Sequence, residues 1–200
     1  MARLLFSPAS PYSAKVRMAA TWLGLPIEAE TVNTNDEPAL LVNNNPLGKI
    51  PTLILDDGTA LFDSRAIMQE LDRMSGRKLF PRNAQKRMEA ERLEALGDGI
   101  SDCLLAQVYE KRFRPAEKVH QPWLDLQARK VARGLDWLNE NPPRVTSKLH
   151  GGQFAVAAMI GYLDLRFADM NWRRGRPKLK RFEDRFAKAF EDYATLRPQG

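Results

Sequence analysis

The pattern of apolar residues changes near residue 76, and this change limits the folds that the chain can adopt. Before it, short apolar runs and helical patterns alternate in the order β-α-β, a polar loop, then β-β-α. After it, every periodic segment has the spacing of an amphipathic helix. The sequence therefore predicts two domains: an α/β domain over residues 1–76, a linker at residues 77–83 and an all-helical domain over residues 84–200.

The first strand-to-helix junction carries the most informative short motif. Residues 3–7 predict a buried strand, after which Ser10 is a favourable helix N-cap and Pro11 suits the first helical position. Ser10-Pro11-Tyr12-Ser13 has the layout of a Cys-Pro-Tyr-Cys redox motif with serine at both sulfur positions. Serine cannot cycle between thiol and disulfide, but its hydroxyl can donate a hydrogen bond to a thiolate. A reactive thiol at this site must therefore arrive on a ligand.

Two further segments supply what a peptide-like thiol needs. Residues 45–51 enter a strand through a proline, which leaves backbone groups free for an extended peptide and makes the X-Pro bond a candidate for the cis form. Asp63 and Ser64 lie where the next strand meets a helix, and Ser64 is predicted to cap that helix. The helix N-terminus can hold a carboxylate, and Asp63 can pair with an amino group. A γ-glutamyl tripeptide thiol requires these contacts.

Other chemistries find little support in the chain. It has no apolar run long enough to span a membrane and no secretion signal, and its single cysteine, Cys103, fits a reducing compartment, so we expect a cytoplasmic protein. Phosphate-loop, dinucleotide and nucleophile-elbow motifs are absent, and His120 and His150 lack metal-cluster spacing. No nucleic-acid motif accompanies the basic run at residues 173–181. We interpret that run as a solvated loop and helix start, with a phosphate-binding surface as the alternative.

Taken together, the motifs resemble a cytosolic glutathione transferase of the bacterial, serine-type branch. In the first region the resemblance rests on Ser-Pro-x-Ser-Pro-Tyr-x-x-Lys-Val-Arg at 7–17, Asn-Pro-x-Gly-Lys-Ile-Pro at 45–51 and Asp-Ser-Arg-Ala-Ile at 63–67. It continues at residues 114–118, 161–167 and 172–177. The resemblance implies a thioredoxin-like glutathione-binding domain followed by a helical bundle. It also implies a homodimer with a role in detoxification that uses glutathione as co-substrate and needs no metal, nucleic acid or membrane.

The resemblance further implies roles for individual residues. Ser10 would face the glutathione sulfur as the catalytic residue; Ser7 and Ser13 are competing hydroxyls, and a site with no essential hydroxyl is a further alternative. The implied glutathione-binding residues are Lys49 for the glycyl carboxylate, Ile50 and a cis Pro51 for the cysteinyl unit, and Asp63 and Ser64 for the γ-glutamyl end. A small hydrophobic electrophile would lie between the domains, and the candidates for its pocket are Tyr12, Tyr109, Phe113 and Trp172. Core or rim packing is the alternative role for each of these four.

Three functions follow from this interpretation. The leading hypothesis is an enzyme that ionises the glutathione thiol and transfers the sulfur to an electrophile. A non-enzymatic binding or scaffold protein is the second hypothesis, because transferase-like folds also serve as interaction domains. A glutathione-dependent reductase or isomerase is disfavoured, since serine at position 10 cannot form a mixed disulfide.

One segment departs from the family pattern. The central helix of the family opens with a Ser/Thr-x-x-Asp capping box, and His150-Gly-Gly-Gln153 stands in that place here. Histidine is a weaker N-cap, and each glycine in the first turn costs up to about 1 kcal/mol relative to alanine. We therefore expect the helical domain to be weakened at the start of this helix.

Overall fold

A mixed four-stranded sheet forms the first region in the computed structural model, which describes residues 1–200. The strands are β1 (Ala2–Phe6), β2 (Ile27–Thr31), β3 (Thr52–Ile54) and β4 (Ala60–Leu61), in the spatial order β2-β1-β3-β4. β1 pairs in parallel with β2 and antiparallel with β3, and β3 pairs antiparallel with β4. The central strand β1 is buried except at Arg3, which accounts for the apolar side chains at its other positions.

Three helices accompany the sheet: α1 (Pro11–Trp22), α2 (Ala39–Asn44) and α3 (Ser64–Met74), with a short 3₁₀ turn at Thr34–Asp36. α1 begins as predicted, because Ser10 is its N-cap and Pro11 its first residue. The predicted cap of α3 is wrong by one residue. Asp63 is the N-cap, and its carboxylate accepts a hydrogen bond of 2.9 Å from the Arg65 N–H. Ser64 is the first residue of the helix and not its cap.

The second region contains only helices. They are α4 (Ala84–Phe113), α5 (Gln121–Glu140), α6 (Gly151–Arg166), α7 (Pro177–Ala189) and α8 (Tyr193–Leu196), with 3₁₀ turns at Ala116–Lys118 and Ala168–Met170. α6 is buried from its first residue through Leu163, as its apolar pattern on all sides predicts. None of the helices combines the length and the apolar composition that a bilayer crossing requires.

The last helical pattern, predicted as one helix through Tyr193, is interrupted between α7 and α8. Phe190 adopts an extended conformation at the break. This geometry brings both Phe190 and Tyr193 against Phe186, at ring-centroid distances of 6.1 and 5.4 Å. Edge-to-face aromatic packing thus replaces the continuous helix.

The two domains meet across a buried cluster of charges. Lys15 of α1 is fully buried, and its Nζ lies 2.9 Å from Glu94 Oε1 and 2.9 Å from Asp98 Oδ2, both on α4. Arg65, at the start of α3, reaches the same Asp98 oxygen at 3.0 Å. Burial raises the pKa of Glu94, and the Lys15 ammonium opposes that shift. The cluster ties α1 and α3 to α4 and so holds the two domains in one relative position.

The start of α6 shows why glycine follows His150. A Cβ on Gly151 would lie 2.4 Å from Phe80 Cζ, and a Cβ on Gly152 would lie 2.4 Å from the Ala90 carbonyl oxygen. Half of a capping box is present, since Gln153 Oε1 accepts a 2.8 Å hydrogen bond from the His150 N–H. The glycines that cost helix propensity are therefore needed for the close approach of α6 to the Phe80 ring and to α4.

Candidate active site

A cleft of about 880 Å³ separates the sheet domain from the helical domain, and the start of α1 forms part of its lining. All but two of the residues predicted for the site lie along it. These are Ser10, Tyr12, Lys49, Ile50, Pro51, Asp63, Ser64 and Tyr109. The two that do not line it are Phe113 and Trp172.

Ser10 combines a capping role with a free proton. Its Oγ accepts a hydrogen bond of 3.1 Å from the Ser13 N–H, so the hydroxyl proton remains available for a second partner. The partial positive charge of a helix N-terminus favours an anion beside it. Ser13 is fully buried and is not part of the lining, whereas Ser7 is. The hydroxyls of Ser7 and Ser10 are therefore the two at this end of the cleft.

The loop before β3 presents an unpaired stretch of backbone. The Ile50–Pro51 peptide bond is cis, and the N–H and carbonyl of Ile50 bond to no other group of the protein. Asn45 holds the loop in place, because its Nδ2 donates to the Lys49 carbonyl at 2.8 Å and its Oδ1 accepts from the Leu47 N–H at 3.1 Å. This arrangement leaves one residue whose backbone N–H and carbonyl can pair with a peptide.

The start of α3 provides a carboxylate and a hydroxyl side by side. Asp63 uses one carboxylate oxygen to cap the helix, and its other oxygen makes no bond within the protein. Ser64 is 3 % exposed, and its hydroxyl has no hydrogen-bond partner in the chain. Free N–H groups in the first turn can bind a carboxylate, while the free oxygen of Asp63 can accept from an ammonium group.

The phenol of Tyr12 makes a hydrogen bond to a residue that the sequence did not indicate. Its hydroxyl donates to Asp102 Oδ1 on α4. Burial, and then this hydrogen bond, raise the pKa of Tyr12 above its usual value. The phenol is therefore neutral, and its proton points to Asp102 rather than to a ligand sulfur beside Ser10.

The remaining aromatic candidates divide by location. Tyr109 lines the cleft, and Phe113 packs edge-on against it at 5.1 Å but stands outside the lining, 61 % exposed. Trp172 belongs to the core: it is 2 % exposed, and its indole N–H donates to Asp164 at 2.8 Å. A large ring whose single donor already has a partner is stable in the interior.

The sequence did not indicate several residues of the helical domain that line the cleft. They are Asp102, Leu105, Val108 and Arg112 on α4, and Tyr162 and Arg166 on α6. Helical spacing could have indicated two of them, because Leu105 and Arg112 lie one turn from the predicted pocket residue Tyr109 on either side and share its helix face. On α6, Arg166 follows Tyr162 by four residues, so these two residues share a helix face in the same way.

The basic run at residues 173–181 is organised by ion pairs rather than simply solvated. Arg173 binds both Asp164 and Glu183 at 2.7 Å, and Arg176 binds Asp136 at 2.7 Å. Burial alone would raise the pKa of Asp164, but hydrogen bonds from its basic and indole neighbours lower it to about 2. Much of the local charge is thus neutralised within the chain. No group of three or more His, Cys, Asp and Glu side chains is arranged to hold a metal ion.

Comparison with known proteins agrees with this geometry. Residues 4–78 match the family model "Glutathione S-transferase, N-terminal domain", and residues 121–185 match "Glutathione S-transferase, C-terminal domain". The uncharacterised GST-like protein YibF of Escherichia coli (strain K12) is 29% identical over 201 residues, 98% of each chain. The chain therefore belongs to the glutathione S-transferase family.

Two solved structures extend the likeness to ligand-bound proteins. A glutathione S-transferase from Methylobacillus flagellatus KT with glutathione bound has a TM-score of 0.91 at 33% identity, over 100% of both chains. A family member from Pseudomonas fluorescens Pf-5 with bound glutathione has a TM-score of 0.90 at 34% identity, also over 100% of both chains. These relatives support glutathione binding and a transferase activity.

Proposed function

We propose that this protein is a transferase that stabilises the glutathione thiolate with the Ser10 hydroxyl and joins the sulfur to an electrophilic carbon. The hydroxyl of Ser10, which lines the cleft at a helix N-terminus and has no acceptor for its proton in the chain, carries the proposal. The thiol proton passes to solvent, and the sulfur forms a new bond to carbon. A leaving group then departs with its electron pair, or an activated double bond takes up a proton.

The tripeptide would lie along the sheet-domain wall of the cleft. Ile50 would pair its free N–H and carbonyl with the cysteinyl unit, beside Pro51. The free oxygen of Asp63 would accept from the γ-glutamyl ammonium, and Ser64 with the first turn of α3 would bind its carboxylate. Lys49 is exposed and lines the same cleft, and it would meet the glycyl carboxylate.

A neutral hydroxyl is sufficient for this task. A free thiol has a pKa near 8.5, so a mostly ionised thiol at neutral pH requires a drop of about two units, or ~2.7 kcal/mol. A hydrogen bond to a charged acceptor contributes about 1.5–3 kcal/mol, and a helix N-terminus contributes about 0.3–2 kcal/mol. Together the two effects reach the required free energy without a general base.

The electrophile would occupy the space between the sheet-domain wall and the helical domain. Tyr12 and Tyr109 would border it, and Phe113 would support Tyr109 from the rim. Trp172 is left out of the proposed pocket because it is buried in the core. We further propose a cytoplasmic homodimer that acts in detoxification, as family membership suggests.

Replacement of Ser10 by alanine tests whether its hydroxyl stabilises the glutathione thiolate. Ser10→Ala should lower turnover of a chlorinated nitroaromatic with glutathione at least about tenfold, because the thiolate loses its hydrogen bond. The thiolate absorbance of bound glutathione, titrated against pH, should show a higher thiol pKa in the variant. The lost N-cap should cost only about 1 kcal/mol of unfolding free energy, so the fold survives.

Ser7→Ala is the matched control, since it removes the other hydroxyl at this end of the cleft. If Ser7→Ala lowers turnover and Ser10→Ala does not, the catalytic role belongs to Ser7. A wild-type protein that neither binds glutathione resin nor turns over the nitroaromatic would favour a non-enzymatic scaffold.

A further inference from the structure

The helical-domain wall of the cleft carries two arginines that have no carboxylate partner in the chain. Arg112 lies in the last turn of α4 and Arg166 is the last residue of α6; both line the cleft with exposed side chains. Their neighbours differ. Arg114 is ion-paired with Glu110, and Arg173 with Asp164. The charges of Arg112 and Arg166 are therefore available to a ligand.

Each of the two arginines lies one helical turn from a tyrosine that also lines the cleft. Arg166 follows Tyr162 by one helical turn, and Arg112 follows Tyr109 by one turn on α4. Burial raises the pKa of the Tyr162 phenol, while the positive charges of Arg166 and Arg112 both oppose that shift. Two guanidinium groups and two phenols thus line the cleft from α4 and α6, which pack against each other. Such groups donate hydrogen bonds and supply the positive charge that a carboxylate needs.

The negative charges of the cleft lie elsewhere. Glu37 and Asp63 belong to the sheet domain. Asp102 is on the helical wall, but it accepts a hydrogen bond from the Tyr12 hydroxyl and lies ten residues, or about 15 Å along the helix, from Arg112. The apolar side chains of Leu105 and Val108 occupy the stretch between them. Along α4, the wall therefore carries Asp102 bonded to Tyr12 at one end, apolar side chains in the middle and a cation at the other end.

We propose that the electrophilic substrate bears a carboxylate, which Arg112 and Arg166 bind, joined through an apolar or aromatic spacer to the carbon that the sulfur attacks. This inference depends on the proposed function, because it assumes that glutathione occupies the opposite wall. It narrows the expected hydrophobic electrophile to one with an anionic end. Arg112 and Arg166 become determinants of substrate specificity, whereas Ser10 acts on the sulfur.

Titration calorimetry with paired glutathione conjugates tests the proposal without relying on turnover. The probes are S-(para-carboxybenzyl)glutathione and its neutral match, S-(para-carbamoylbenzyl)glutathione, with plain glutathione titrated in parallel. The wild-type protein should bind the carboxylate conjugate about tenfold more tightly than the amide, since charge-assisted hydrogen bonds to guanidinium are the stronger ones. The preference should shrink as salt is added.

The double variant Arg112→Met with Arg166→Met should lose this preference. Lys111→Met is the matched control, because it removes a neighbouring cation of α4 that does not line the cleft, and it should keep the preference. A thermal melt shows that each variant is folded, and the amide conjugate serves as the internal reference. Turnover of a chloronitrobenzoate against the matching chloronitrobenzamide should show the same change in ratio.

The outcomes separate this inference from the proposed function. If wild-type protein binds glutathione but binds both conjugates equally, the carboxylate preference is overturned and the transferase proposal stands. A preference that persists in the double variant would also overturn the role of the two arginines. If wild-type protein does not bind glutathione, the proposed function fails, and the carboxylate site fails with it.

Discussion

Helices α1 and α6 pack against each other and both reach α4, α1 through the side chains of Tyr12 and Lys15 and α6 through close packing, yet only the start of α1 is open to the cleft. The N-cap of α1, Ser10, lines the cleft and keeps its hydroxyl proton free. The first residues of α6, Gly151 and Gly152, are buried against the Phe80 ring and the backbone of α4. Both helix N-termini carry the same partial charge. The N-terminus of α1 can therefore bind a ligand because it lines the cleft, whereas the buried N-terminus of α6 contributes only to packing.

The two helices also contact α4 by different means. α1 uses a buried ammonium, Lys15, whose charge is met by Glu94 and Asp98. α6 uses the absence of side chains, because a Cβ on Gly152 would lie 2.4 Å from a carbonyl oxygen of α4. A buried ion cluster is sensitive to loss of one partner, and a close backbone contact is sensitive to added volume. Substitutions on each side can therefore test the contrast.

The largest effect is expected at Lys15. Lys15→Met should lower the free energy of unfolding by about 3–5 kcal/mol, because Glu94 and Asp98 would be left as buried carboxylates without their ammonium. Urea unfolding at neutral pH measures the loss. Glu94→Gln added to that variant should recover part of it, while Lys86→Met, at an exposed site on α4, should stay within about 0.5 kcal/mol of wild type. Full stability in Lys15→Met would show that the cluster does not hold the domains together.

The next effect is expected at the start of α6. Gly152→Ala should cost about 3 kcal/mol, since the added methyl meets the Ala90 carbonyl oxygen and the Leu93 Cβ, and backbone atoms cannot move aside cheaply. Gly99→Ala is the matched helical control, because nothing lies within 4 Å of its Cβ position. The control should gain up to about 1 kcal/mol from helix propensity. Equal effects in both variants would contradict the close-packing explanation.

The smallest effect concerns acid stability at His150. Burial lowers the pKa of His150 from 6.5 to about 4, and its Nδ1 is buried without a hydrogen-bond partner. Between these pH values the unfolded state binds a proton that the folded state does not, so stability is full above pH 6.5 and falls as the pH is lowered. The loss should reach about 2 kcal/mol by about pH 5.

Urea unfolding at neutral and acidic pH measures this dependence. His150→Asn should remove it and gain about 1 kcal/mol at neutral pH from a better N-cap. His120→Asn, at an exposed histidine, should retain the wild-type loss. An unchanged pH profile in His150→Asn would assign the acid sensitivity to other groups.

Prediction from sequence was most accurate for the local backbone structure of the sheet domain beside the cleft. The start of α1, the cis Ile50–Pro51 bond and the strand-to-helix junction at Asp63 follow from rules that act over a few residues, namely capping, proline geometry and turn chemistry. Even there, Asp63 took the capping position expected of Ser64, because two adjacent residues can both cap a helix.

The helical-domain wall was much less predictable. Periodicity showed that residues 93–108 form a helix, but it did not show which neighbour each helix face would meet. Tyr12 and Asp102 are 90 residues apart, and only the docking of α1 beside α4 brings them together. The family resemblance made Trp172 a candidate for the pocket, whereas the structure buries it in the core, where its indole N–H donates to Asp164.

The amino-acid sequence by itself determined the two-domain order, the helix that opens at Ser10 and the residues of one wall, because these depend on local backbone preferences. The tertiary structure alone decided that Ser13 is buried, that the Tyr12 hydroxyl donates a hydrogen bond to Asp102, and that Arg112 and Arg166 line one cleft. Burial and the direction of each side chain depend on contacts between distant segments. Those contacts exist only after the helices have packed.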